Sequence, residues 1–207
     1  MTEQQLKDSS PLIMPKQWNE FNQDSYVAAE VLKLKEKFKC TIFCETGTCL
    51  GSTSTWAASK FKNVITFEIH KPFFDIASQR KEILGIENIE QHCINSVDGL
   101  KLVLPKLKDK NILFFLDAHF QNYAPLLDEL KTIKENNLKP VIIVHDCYVP
   151  NDPALGYDTW NGITISYETM KPYLDEIYGE GNYSYHYNSD KESTEIKRGV
   201  IYCYPNA

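Results

Sequence analysis

The sequence predicts an α/β domain built on a mostly parallel sheet with helices on both faces. Three observations predict it. Five short apolar runs recur along the chain, with helical patterns between them. Apart from Ile89–Cys93, the runs are nearly continuous in Val, Ile, Leu, Phe and Cys, as suits strands buried on both faces. The chain then closes on two alternating runs with no room for a helix between them, so those two should pair antiparallel.

The bulk numbers agree with this class. At 207 residues, 43% hydrophobic and 24% charged, the chain has the length and composition of one globular domain. A net charge of −6 argues against a nucleic-acid partner, which would favour a basic face. Six cysteines are scattered over the chain, and C-x3-C at Cys40 and Cys44 lacks a matching second pair, so a zinc site is not expected. Free thiols in a reducing, cytoplasmic compartment fit this pattern. The polar N-terminus has no apolar signal core, and no apolar run approaches a membrane span.

Residues 1–39 divide from the rest as an arm and a helix. Residues 1–22 carry Pro11 and Pro15 and read as an arm, with Leu12, Ile13, Met14 and Trp18 available to pack. Gln23–Lys39 shows helical spacing in Tyr26, Val27, Val31, Leu32, Leu34 and Phe38. Residues 40–207 read as a single domain. Cys40–Cys44 is its first strand, followed by Glu45, Gly47, Gly51 and a helix to about Phe61. Val64–Glu68 is the second strand, and Pro72 sits near the start of the helix after it. Ile89–Cys93 is the third strand, and Val97–Leu107 is helical. Ile112–Asp117 is the fourth strand, Tyr123–Asn136 a helix, and Pro140–Val144 the fifth strand, leading into His145 and Asp146. Cys147–Ile163 is a long loop rich in Pro, Gly, Tyr and Trp, and such loops usually serve function. Ser166–Tyr178 is the last helix. Tyr183–Tyr187 and Gly199–Tyr204 form the closing hairpin.

Strand, glycine turn and helix start form a nucleotide cradle, and three kinds compete. The glycines let a ligand approach the backbone, and the free N–H groups at Ser52–Ser54 attract an anion. A P-loop needs G-x4-G-K-[ST]; here three residues separate Gly47 and Gly51, and no Lys follows. A dinucleotide fold needs G-x-G-x-x-G, and Cys49 stands at the position of the close-approach glycine. The third cradle holds S-adenosylmethionine, which carries no phosphate.

The residues E45-T-G47-T-C-L-G51, Glu68 at the end of strand two, N95-S96 after strand three and L116-D117-A-H119 after strand four resemble the class I S-adenosylmethionine-dependent methyltransferases, of the small O-methyltransferase type. The resemblance covers about residues 40–205. It implies a Rossmann-like three-layer sandwich with a seven-stranded sheet in the order 3-2-1-4-5-7-6 and an antiparallel final hairpin. The family's middle glycine is Cys49 here, and its acid after strand three is Asn95. By resemblance, Glu45, Gly47, Thr48, Gly51, Ser52, Glu68, Asn95, Ser96 and Asp117 hold the cofactor. Gly47 lies against it, Glu45 lies near its amino-acid end, and Asn95 and Ser96 flank the adenine.

The residue chemistry gives each assignment a rival. A carboxylate can accept both hydrogen bonds of a ribose diol, and Glu68 follows the glycine turn by about twenty residues, as a ribose acid does. It could also be a solvated strand-end acid. Ser52 or Thr53, and Asn95 or Ser96, could be helix caps. Asp117, His119, His145 and Asp146 lie at the carboxyl ends of adjacent strands, where open α/β sheets place ligands. With a period of two, Asp117 and His119 share a side, whereas His145 and Asp146 point to opposite sides and only one joins the site.

Two readings of this cluster stay open. In one, Asp117 orients the sulfonium end while His119 or His145 is the general base. In the other, Asp117 and Asp146 hold magnesium or another divalent cation that acidifies the acceptor hydroxyl. Tyr148, Tyr157, Trp160 and Asn161 could wall a substrate pocket or pack on one another. The expected activity is methyl transfer to a hydroxyl of a small molecule or sugar, with no nucleic acid and no membrane involved, and self-association is left open. A nicotinamide-dependent oxidoreductase and a metal-dependent oxygenase or hydrolase remain as alternatives.

Overall fold

Apolar runs at the predicted places form the strands of the sheet. In the computed structural model, which describes residues 19–120 and 122–206, they are β1 (Ile42–Thr46), β2 (Asn63–Phe67), β3 (Ile89–His92), β4 (Ile112–Leu116), β5 (Val141–Val144), β8 (Tyr183–Tyr187) and β9 (Ile201–Pro205). Two more strands, β6 (Thr159–Trp160) and β7 (Ile163–Thr164), form a small separate hairpin. The large sheet runs β3-β2-β1-β4-β5-β9-β8. β1 to β5 are parallel, and β9 is antiparallel to both β5 and β8. This is the expected seven-strand order, with β8 and β9 as its last two strands. The predicted arm residues Leu12, Ile13, Met14 and Trp18 lie outside the described residues.

Side chains of the inner strands alternate between two buried faces, as the period of two requires. Ile42, Cys44, Phe114 and Leu116 face one core, covered by α4 (Ser96–Val103), α5 (Leu126–Glu135) and α6 (Tyr167–Tyr178). Phe43, Leu113 and Phe115 face the other, covered by α1 (Ser25–Lys37) and α2 (Ser52–Ala58). Phe21 is 2% exposed. It packs edge-on against Trp56 and Phe115, so Phe21 belongs to the core. α3 (Lys71–Ile83) begins with Pro72 in its first turn.

Most element ends fall within a few residues of expectation, and the departures have local causes. α5 starts at Leu126 and not Tyr123, because Pro125 occupies its N-cap and Tyr123 bridges back to Phe120. α2 stops at Ala58, short of Phe61. All six cysteines are free. No helix among the described residues is long and apolar enough to cross a membrane.

One packing contact gives a stability prediction. A Cβ on Gly99 in α4 would overlap the ring edge of Phe67, a side chain 1% exposed. Gly99→Ala should therefore cost ~1–3 kcal/mol by overpacking. Calorimetry should show a fall of about 5 °C in Tm, where a helical glycine-to-alanine change would otherwise raise it.

Candidate functional site

Strand register brings the candidate residues to one edge. Thr46 of β1 lies beside Phe67 of β2 and Leu116 of β4, and Leu116 lies beside Val144 of β5. Glu68, Asp117 and His145 therefore leave the sheet at the same level.

The turn after β1 is held in the left-handed region by Gly47 (φ +83°), Cys49 (φ +50°) and Gly51 (φ +77°). A Cβ on Gly47 would lie 2.8 Å from the Asp117 carbonyl oxygen, so only glycine fits. Gly51 does not join the site. It packs on α3, where its Cβ would lie 2.9 Å from that of Ala77. Cys49 has a side chain where its conformation favours glycine, and its N–H donates to the Glu68 carboxylate at 2.7 Å.

Glu68 is 6% exposed. Its second oxygen accepts the His70 N–H, also at 2.7 Å. Burial pushes its pKa up, and the backbone donors of His70 and Cys49 oppose this. The side chain is thus pinned from two directions. Glu45 accepts the Thr66 hydroxyl at 2.6 Å, and the Thr66 and Thr48 hydroxyls are 2.6 Å apart. Burial carries Glu45 up to about 8, with Thr66 pulling down and Asp117 adding to the rise. Behind it, Glu129 of α5 accepts the hydroxyls of Ser96 and, at 3.4 Å, Thr46. Burial carries Glu129 to about 7, against the Ser96 and Thr46 hydrogen bonds.

These two shifts set a pH dependence. A carboxyl whose folded pKa exceeds its unfolded value binds more protons in the folded state between the two. Its stabilising contribution is present below the unfolded value near 4.5 and is lost as pH rises through about 7 for Glu129 and about 8 for Glu45. Tm should therefore fall as pH rises from 5 to 8. Glu129→Gln should flatten that fall by up to ~3 kcal/mol, read from melting curves across the range.

The ends of β4 and β5 hold four titratable groups. Ligand atoms of Asp117, His119 and Asp146 all lie within 4.8 Å of one another. His145 is 4% exposed, with Nδ1 3.3 Å from Asp117 Oδ1 and 3.0 Å from Asp146 Oδ1. Neither contact has hydrogen-bond geometry at Nδ1, so the attraction is mainly one of charge. Burial opposes the charged ring, but Asp117 and then Asp146 outweigh it and hold His145 well above the usual imidazole range. The expectation that only one of His145 and Asp146 joins the site is corrected: both line the same cavity. β5 ends at Val144, and Asp146 takes φ +58°, which breaks the alternation on which that expectation rested.

Two adjoining compartments meet at this edge. The first, about 270 Å³, is lined by Glu45, Gly47, Thr48, Ser52, Glu68, Asp117, His119, His145 and Asp146, with Phe73 and Phe120. Ser52 Oγ is buried there without a hydrogen-bond partner. The second, about 210 Å³, is mostly apolar: Phe67, Ile69, Ile94, Tyr123 and Pro125 line it with Asn95 and Ser96. Gly47, Glu68, His119 and Phe120 belong to both. Among the described residues, no lysine or arginine lines either compartment.

Asn95 commits its Oδ1 to the Val97 N–H at 2.9 Å, so it caps α4 as well as lining the second compartment. Of the loop aromatics, Trp160 stacks on His119 with ring centroids 5.0 Å apart. Tyr148 and Tyr157 pack edge-on at 5.1 Å and line neither compartment. Asn161 donates to the Asn122 carbonyl at 3.0 Å.

Three residues escaped the sequence reading. Thr66 lies two before Glu68 and so shares its side, a signal that was available. Glu129 and Arg198 reach the site only through tertiary packing.

No family model matches the sequence, and no curated protein does. Solved structures do resemble the fold. The O-methyltransferase TomG of Streptomyces achromogenes, involved in tomaymycin synthesis and solved with S-adenosylmethionine, aligns over 87% of this chain and 80% of its own at 18% identity and TM-score 0.58. An rRNA methylase of Streptococcus thermophilus aligns over 86% and 95% at 12% identity and TM-score 0.55. A methyltransferase of Geobacter sulfurreducens aligns over 95% and 81% at 14% identity and TM-score 0.54.

Proposed function

We propose that this chain, whose fold is that of the class I methyltransferases, is an S-adenosylmethionine-dependent methyltransferase acting on a hydroxyl of a small molecule or sugar. The observation that carries the reading is the two-part cleft hinged at Glu68. Its first compartment gathers Glu45, Glu68, Asp117 and Asp146 with no lysine or arginine among the described residues that line it, and its second is mostly apolar. A pyrophosphate would find no lysine or arginine among the described lining residues to pair with, which speaks against a nicotinamide dinucleotide. A ligand with a cationic end, a diol and a base suits them. The unpartnered Ser52 hydroxyl offers that ligand a further polar contact.

Bound S-adenosylmethionine would supply an activated methyl group. Glu68 would accept the ribose hydroxyls, Glu45 and Asp117 would face the charged end, and Asn95 with Ser96 would edge the base. His119 is exposed at the junction of the two compartments, next to Asp117 and Asp146. It would take the acceptor's proton as general base. His145 is held charged between two acids and suits a structural counter-ion better than a base. The Trp160 ring over His119 would keep water from the acceptor side.

A divalent ion is a poorer fit. Asp117, His119 and Asp146 are close enough to ligate one, but Asp117 and Asp146 already face the His145 imidazolium, and Asp146 also accepts the Arg198 guanidinium. The reading therefore needs no metal step.

Calorimetry of the wild-type chain with S-adenosylhomocysteine and, separately, NAD tests the proposal. Micromolar binding of the first without the second is expected. NAD binding with silence toward S-adenosylhomocysteine ends the reading.

A further inference from the structure

The acid cluster contains a cation that the proposed reaction does not use. Arg198 stands three residues before β9. Its Nε donates to Asp146 Oδ1 at 2.5 Å, and its Nη2 donates to Asp158. The backbone makes room for it: a Cβ on Gly156 would lie 2.8 Å from Nη1. Asp158 is itself tied to the site, since its N–H donates to the Asp146 carbonyl at 2.9 Å. Its carbonyl accepts the Ile165 N–H at 3.1 Å, which closes the base of the β6–β7 hairpin that carries Trp160.

Asp146 Oδ1 is thus met by a guanidinium on one side and by His145 Nδ1, 3.0 Å away, on the other. A dication placed among Asp117, His119 and Asp146 would sit against that permanently charged guanidinium. A planar, permanently charged fork can do what such an ion does for carboxylates: neutralise them and fix their direction.

We propose that Arg198 is a positioning residue that takes the place of a divalent cation at this cluster, holding Asp146 toward the cleft and anchoring the Trp160 hairpin over His119. The inference rests on the methyltransferase reading for its purpose, but its test does not depend on that activity.

The test is Mn2+ binding followed by electron paramagnetic resonance on the full chain. Wild type should show no site tighter than ~1 mM. Arg198→Met should bind Mn2+ at least ~10-fold more tightly, and adding Asp146→Asn should remove the gain. Melting curves and S-adenosylhomocysteine calorimetry on the same samples establish that the variant is folded and report on the enzymatic reading separately. Should Arg198→Met not fold, Arg198→Lys replaces it. A single ammonium cannot span both acids, so this variant should still bind Mn2+ more tightly than wild type. Two results overturn the proposal: tight Mn2+ binding by wild type that Asp146→Asn abolishes, or a folded Arg198 variant with wild-type Mn2+ affinity.

Discussion

Glu68→Ala is expected to weaken S-adenosylhomocysteine binding by at least ~100-fold, or ~3 kcal/mol, measured by calorimetry. The size follows from how the side chain is held. Cys49 and His70 each give a backbone N–H to it at 2.7 Å, so the carboxylate is fixed in direction before any ligand arrives. Glu68 lines both compartments, where a diol would meet its carboxylate. Removing it costs two charge-assisted hydrogen bonds and leaves two amides unpaired, one of them on a residue at φ +50°. Some loss of Tm should accompany the loss of affinity. Glu68→Gln separates the effects in part: its one amide oxygen can accept one of the two N–H groups while its NH2 faces the other, so Tm should recover only partly while affinity stays low. A dissociation constant for Glu68→Ala within threefold of wild type would remove Glu68 from the ligand site.

His119→Gln should lower kcat by about 10²–10⁴ once an acceptor is in hand, with S-adenosylhomocysteine affinity nearly unchanged. Screening hydroxyl compounds by S-adenosylhomocysteine release would supply that acceptor. The contrast with His145→Gln is the informative part. His145 is 4% exposed between Asp117 and Asp146, and losing it leaves Asp117 without its facing cation and Asp146 with Arg198 alone. Breaking such a buried arrangement costs ~3–5 kcal/mol. His145→Gln should therefore show in melting, by about 10 °C, and His119→Gln should show in turnover. The reverse pattern would exchange the two roles.

The sheet was legible because its signal is local. Ile112–Leu116, five apolar residues in a row, suits a strand buried on both faces, and acids placed directly after parallel strands gather at one edge. The two-part cleft around Glu45, Glu68 and Asp117 follows from that register. What stayed hidden depends on backbone exceptions and distant partners. Asp146 changes side because its φ is positive, and no period-two rule can anticipate that. Gly51 has the spacing of a cofactor glycine but serves the contact with Ala77. Glu129 reads as one more acid on an amphipathic helix, yet it is 1% exposed and tied to Ser96 and Thr46. Arg198 meets Asp146 across 52 positions of sequence. The hairpin inside residues 147–165 has strands of two residues each, too short to leave a periodic trace.

The wedge of Gly47 beneath the Asp117 carbonyl has a thermodynamic corollary. Backbone bonds from Gly47 to Phe67 and from Asp117 to Thr46 lock the same three strand ends, so the floor of the cleft is rigid before association. Little ordering entropy is then left to lose when a ligand enters. The heat-capacity change on binding should accordingly match the apolar area covered in the second compartment, with no added contribution from a segment folding around the guest.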